Sequence, residues 1–217
     1  MKHVVRNRQE LEVLLDERCE KGLERGGDWE WEWGGFTWLA DAIIVLNAKG
    51  MWFDKNIVSE LCIWGGEANH TLVTKIEPEC RQKVINTIMY IQENFDHVYQ
   101  AMLEKILLIA TEHELLDLAF YEPITTIRQL HEAREIREIS GMEADCIRHI
   151  QLNCQYQKDD MVFYSWIFQP SYGFGDGFEV VFWRDHVVCV GDGNTGDLIF
   201  EFEDYKDTPF YFEINDV

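Results

Sequence analysis

The chain predicts an α+β fold, with a helical N-terminal two-thirds carrying short strands and an antiparallel β-hairpin sheet in the C-terminal third. Two observations predict it. From Pro78 to about residue 119, apolar positions recur at three- and four-residue spacing, the period of one helix face. After residue 147 the chain changes to short runs of β-branched and aromatic residues punctuated by glycine-bearing turns. Helices first and strands last is the order of an α+β chain, not of a parallel doubly wound sheet.

The first element is a helix over 7–25. Leu11, Leu14, Leu15, Cys19 and Leu23 fall on one face, and Gly26-Gly27 stop it. Trp29, Trp31 and Trp33 then alternate with Glu30 and Glu32, the two-residue period of a strand with one aromatic and one acidic face. The runs 42–46 and 58–64 fit short buried strands or parts of helices equally well, since periodicity does not separate them. Pro78 suits a first helical turn, and Val84, Ile85, Ile88, Met89, Ile91, Val98, Met102, Ile106 and Leu107 continue the face, with a break near 94–96. Pro123 opens a new segment, and 125–139 reads as a short helix followed by a strand or loop. Residues 1–122 thus form a mainly helical region and 123–217 an antiparallel β-rich one, within two domains or one continuous domain.

The last third reads as hairpins. Runs 147–156 and 161–168 are followed by a loop bearing Gly173, Gly175 and Gly177. Runs 178–183 and 186–190 are joined by Arg184-Asp185, and 191–196 makes another turn before an alternating run at 197–202.

Charge bounds the function classes. Forty acids against nineteen bases give a formal net charge of -21. Such a chain repels nucleic acid and anionic membranes and attracts a basic protein. The nearest basic clusters are the stretch 2–8 and the set Arg128, Arg134 and Arg137, and acids surround the second. No apolar run approaches the ~20 residues needed to span a bilayer. The first fifteen residues interrupt their apolar positions with charge, unlike a signal peptide, so a cytoplasmic location is expected. The six cysteines (19, 62, 80, 146, 154 and 189) then read as reduced, mostly buried thiols.

Motifs that would carry chemistry fail on inspection. Gly191, Gly193 and Gly196 match a dinucleotide fingerprint, but an alternating run follows where a helix is required, and Asp192 and Asp197 would repel a phosphate. As a calcium loop the same stretch has Gly196 and Asp197 at the wrong positions. Cys146, His149 and Cys154 are one ligand short of a tetrahedral zinc site. His131-Glu132 begins a zincin-like pattern, but Glu135 stands where the second histidine belongs, leaving an ordinary one-turn pair of His131 and Glu135 on a helix. No catalytic residue, metal or cofactor is assigned.

One segment carries a resemblance. Phe163, Trp166, Gly173, Gly175, Val187, Val188, Val190 and Gly191 match a pattern of aromatics and turn glycines. In this respect 145–193 resembles a family of uncharacterised bacterial proteins that includes immunity proteins of polymorphic and contact-dependent toxin systems. The chain departs from that pattern after Trp166, with Ile167, Phe168 and Gln169 where the family has acidic residues and histidine. The resemblance implies an immunity protein neutralising a cognate toxin, such as a nuclease, by direct protein–protein binding. The contact residues expected from exposed aromatics and acids are Glu30, Trp31, Glu32, Tyr172, Phe174, Asp176 and Asp192. The alternatives are a metal-dependent hydrolase using scattered carboxylates, and a scaffold whose acidity serves solubility only.

Overall fold

The computed structural model describes residues 3–21, 37–64, 78–112, 125–132, 149–168 and 178–192. The strands are β1 (His3–Val5), β2 (Thr37–Leu46), β3 (Ile57–Trp64), β4 (His149–Lys158), β5 (Met161–Phe168), β6 (Phe178–Trp183) and β7 (His186–Asp192). The helices are α1 (Arg8–Lys21), α2 (Pro78–Glu93), α3 (Phe95–Glu112) and α4 (Ile127–Glu132). The described strands form one seven-stranded sheet in chain order, β1-β2-β3-β4-β5-β6-β7.

This overturns the expected helical N-terminal two-thirds. Three strands of the first half belong to the same sheet as the C-terminal hairpins, and the sheet is mixed. β1 pairs parallel with β2 and β3 pairs parallel with β4, while every other pair is antiparallel. The reason lies in the half-buried face of β2. Ala42, Ile44 and Leu46 are buried at two-residue spacing, but Ile43 and Val45 between them are also apolar. Hydropathy therefore hides an alternation that burial displays.

The C-terminal hairpins match the sequence reading closely. β6 and β7 meet at Arg184-Asp185, and Arg184 takes a left-handed backbone with φ 55°. Asp159, at the β4–β5 turn, does the same with φ 53°. Tight hairpin turns demand such residues because their twist matches that of the strands. The helical break near 94–96 is also present: Asn94 separates α2 from α3, and its side chain donates to the Tyr90 carbonyl.

One hydrophobic core runs from Val5 of β1 to Val190 of β7 and includes Leu11, Leu15, Val84, Ile88, Val98 and Met102 from the helices. At its centre Trp166 is fully buried and stacks on Phe95 at 5.6 Å, with Phe182 at 4.8 Å on the sheet. A smaller cluster of Phe163, Val181, Val188 and Cys189 alternates with these core positions and so occupies the other sheet face. Emptying the Trp166 site leaves a cavity that close-packed neighbours fill only in part. Trp166→Ala is expected to cost ~3–5 kcal/mol, read as a lower urea midpoint at unchanged slope. A loss below ~1 kcal/mol would show that this ring is not central to the packing.

Candidate functional site

The strand directions sort the sheet into two ends. Leu46, Ile57, His149, Phe168, Phe178 and Asp192 lie at one end, adjacent across successive strands. Thr37, Trp64 and the turns at 159–160 and 184–185 lie at the other. Of the expected contact residues, Asp192 is described: it closes β7 opposite Phe178. Glu30, Trp31, Glu32, Tyr172, Phe174 and Asp176 lie outside the described residues. Their anchor points are nonetheless informative. The segment 169–177 joins Phe168 to Phe178, so it leaves and re-enters the sheet beside Asp192. The segment 22–36 enters the sheet at Thr37, at the opposite end. The two expected groups are thus tethered to different ends.

The end that carries Asp192 is backed on the helix side by a ring cluster. Tyr99 of α3 shares a hydrogen bond of 3.0 Å between its hydroxyl and His131 Nδ1. The His131 ring lies 5.2 Å from Trp52, 5.4 Å from Phe53 and 5.7 Å from Tyr99. Phe53 in turn packs edge-on against Phe95 at 5.8 Å. His131 is therefore buried, and Glu135, its expected one-turn partner, lies outside the described residues. Glu132 faces outward and pairs with Arg128 at 2.9 Å. The indole N–H groups of Trp52 and Trp166 are buried with no hydrogen-bond partner among the described residues. The sequence offered no sign of this cluster, because its members come from the β2–β3 hairpin, α3, α4 and β5.

The hairpin loop holding Trp52 is locked to α3. Gly50 N–H donates to the Phe53 carbonyl at 3.0 Å, and Met51 N–H donates to Asp96 Oδ2 at 3.1 Å. Asp96 sits in the first turn of α3, where negative charge is favoured. A Cβ on Gly50 would collide with the Asp96 carboxylate, so only glycine admits this approach.

At the opposite end the two hairpin tips meet the outer side of α2. Asn86 donates to the Asp160 carbonyl at 2.9 Å, and Arg184 pairs with Asp160 at 3.2 Å. Lys158 and Arg184 each sit 4.8 Å from the centre of the Trp183 ring. The Tyr164 hydroxyl donates to the Arg184 carbonyl, tying the β6–β7 turn to the core. Burial pushes the Tyr90 hydroxyl up to about 12, with the Asp185 carboxylate adding to the effect. Burial raises Tyr164 as well, helped by Tyr90 and Asp185.

No protein-family model, curated protein or solved structure matches the chain. Its site is therefore defined by its own geometry. Among the described residues, no group of three or more His, Cys, Asp or Glu side chains is placed to hold a metal ion. No helix among them is long and apolar enough to cross a membrane. Several of their charged groups form ion pairs, as in Arg6–Glu10, Arg8–Glu12, Arg81–Asp16 and Lys83–Glu79. Most of the acidic excess falls in the remaining segments, which include 22–36, 169–177 and 193–217.

Two predictions follow from this geometry. Gly50→Ala displaces the Asp96 carboxylate and breaks its bond to Met51, at an expected cost of ~1–2 kcal/mol. Asp96→Ala loses the same bond, so the double variant is expected to cost less than the sum in denaturant melts. Strict additivity would deny the coupling. The second concerns alkaline pH. Both tyrosines titrate higher in the folded chain than in the unfolded one. The stability they contribute is whole below about pH 10 and is lost as pH rises through the folded values. The melting temperature is therefore expected to fall from about pH 10 upward, and Tyr90→Phe to flatten that fall; an unaltered slope would exclude Tyr90.

Proposed function

We propose that the chain is a binding protein that neutralises a basic protein partner, in the manner of an immunity protein acting on a nuclease toxin. The observation that carries this reading is the net charge of -21. The resemblance of 145–193 to a family containing immunity proteins supports it from a second direction. A surface of this charge repels nucleic acid and draws a nucleic-acid-binding protein by presenting the same sign of charge as phosphate.

The charge sets the rate of encounter, and aromatic anchors set how long the complex lasts. The proposed contacts are Glu30, Trp31 and Glu32 in one segment, and Tyr172, Phe174 and Asp176 with Asp192 in the other. Tethered at different ends of the sheet, the two segments suit a partner that spans the length of the strands, or each serves a separate contact. The second group is favoured as the main one. It joins the paired strand ends Phe168 and Phe178, and Asp192 lies opposite Phe178 on β7.

The test is capture on the tagged full chain from the source cell lysate, washed at ~50 mM and then ~500 mM salt to separate screened from short-range contacts. The expected result is one basic protein at near-equal stoichiometry that survives the second wash. Its association rate is expected to fall steeply with salt. Substituting Trp31, Tyr172 and Phe174 together by alanine is expected to weaken that complex by roughly 30-fold or more, mainly through faster dissociation. Undiminished binding by the triple variant would sink the contact assignment, and a captured partner without basic bias would sink the electrostatic reading.

A further inference from the structure

Two thiols from distant parts of the chain meet where α2 begins. Cys80 lies in the first turn of α2 and Cys154 lies in β4, and each is buried with 5% exposure. The Cys80 Sγ comes within 3.9 Å of the Cys154 carbonyl oxygen. Cys154 follows Ile150 and Leu152 on the buried face of β4. Between Asn153 and Gln157 the β4–β5 register slips, so Cys154, Gln155 and Tyr156 form an irregularity in β4. Gln157 holds it in place by donating to the Cys154 carbonyl at 2.7 Å, and Lys83 of α2 bonds Gln157 at 2.9 Å. Both cysteines are free thiols in the structure.

We propose that Cys80 and Cys154 form a redox latch, closing to a disulfide when the chain meets a small peroxide and fastening α2 to the sheet. The two thiols differ in role. Burial holds the Cys154 thiol well above the ordinary thiol range, and its hydrogen bond and charge interaction with Cys80 add to that. Cys154 lies within a strand of the sheet and is the resolving partner. Cys80 sits at a helix end that favours negative charge and attacks first. Its sulfur takes one oxygen of hydrogen peroxide, the O–O bond breaks, and the released hydroxide leaves as water with the thiol proton. The resulting sulfenic acid is attacked at sulfur by Cys154, and its hydroxyl leaves as a second water with the Cys154 proton. Two thiols lose two electrons and one peroxide is reduced to two waters.

The latch would hold more than α2. Arg81, next to Cys80, donates to the Glu12 carbonyl at 3.3 Å and pairs with Asp16 at 2.6 Å, both on α1. Fastening the first turn of α2 therefore fastens the α1–α2 layer to the sheet. Access is the limiting step. With both thiols buried, peroxide must wait for the first turn of α2 to open, and helix ends open more easily than their middles.

The full chain is reduced, treated with hydrogen peroxide while folded, blocked, digested and mapped by mass without reductant. The expected product is one cross-linked peptide pair containing Cys80 and Cys154, formed slowly and accelerated by mild denaturant. Its closure is expected to raise the melting temperature, and dithiothreitol to reverse the shift. Cys80→Ala and Cys154→Ala are each expected to abolish it. Oxidation that pairs either thiol with another cysteine would overturn the proposal. So would conversion of Cys80 to a sulfinic acid without any link. The peptide map of the unaltered chain decides the matter even where a variant folds poorly.

Discussion

The parallel pairing of β3 with β4 is the constraint on which the rest of the structure depends. Glu60 to Trp64 lie in register with His149 to Asn153, although more than eighty residues separate the two strands in the chain. Parallel neighbours cannot be joined by a tight turn, so the chain must leave the sheet and return. The helices α2, α3 and α4 are all contained in that excursion. Closing so long a connection has an entropic cost that grows only slowly with its length. The core that offsets it is shared. Ile63 and Leu61 on one side and Ile150 and Leu152 on the other are all fully buried beneath the same helices. The two halves of the chain therefore meet in one sheet and one core.

That crossover also decides what each end of the sheet can be. It brings α3 and α4 over the end where the β2–β3 hairpin turns, and there Trp52, Phe53, Phe95, Tyr99 and His131 close into one ring cluster. A hairpin turn would ordinarily be among the loosest parts of a sheet. Here it is held from within by rings and at its tip by the Asp96 carboxylate. The neighbouring strand ends, Phe168, Phe178 and Asp192, thus project from a firm base.

The opposite end is firm for another reason. The tips of two hairpins are cross-linked by Arg184–Asp160, by Asn86 to Asp160 and by the Trp183 ring between Lys158 and Arg184. Individually such exposed pairs stabilise little. Asn86 to Asp160 and Lys83 to Gln157 also set α2 against β4 and the β4–β5 turn, where Cys80 meets Cys154. The redox latch and the partner-binding reading draw on different parts of the fold. One concerns how the helical layer is held, and the other what the sheet's loops and acidic segments present.

Elements governed by short-range chemistry were legible in the sequence. The hairpin β6–β7 was readable from two apolar runs flanking Arg184-Asp185, and α2 and α3 from their apolar period and the interruption at Asn94. β2 and β3 were ambiguous because Ile43 and Val45 are apolar on the half-buried face, which erases the alternation. Of the expected contact residues, the sequence supplied the chemistry of Asp192 but not its neighbours. His131 was legible only as half of a one-turn pair with Glu135, which lies outside the described residues. Its real surroundings, Trp52, Phe53 and Tyr99, are remote in the chain. The sequence by itself determined the charge, the local periods and the turns, since each depends on residues a few positions apart. Only the tertiary structure decided the parallel pairings, the burial of His131 and the meeting of Cys80 with Cys154. Those depend on which distant segments share a core, and no local pattern encodes that choice.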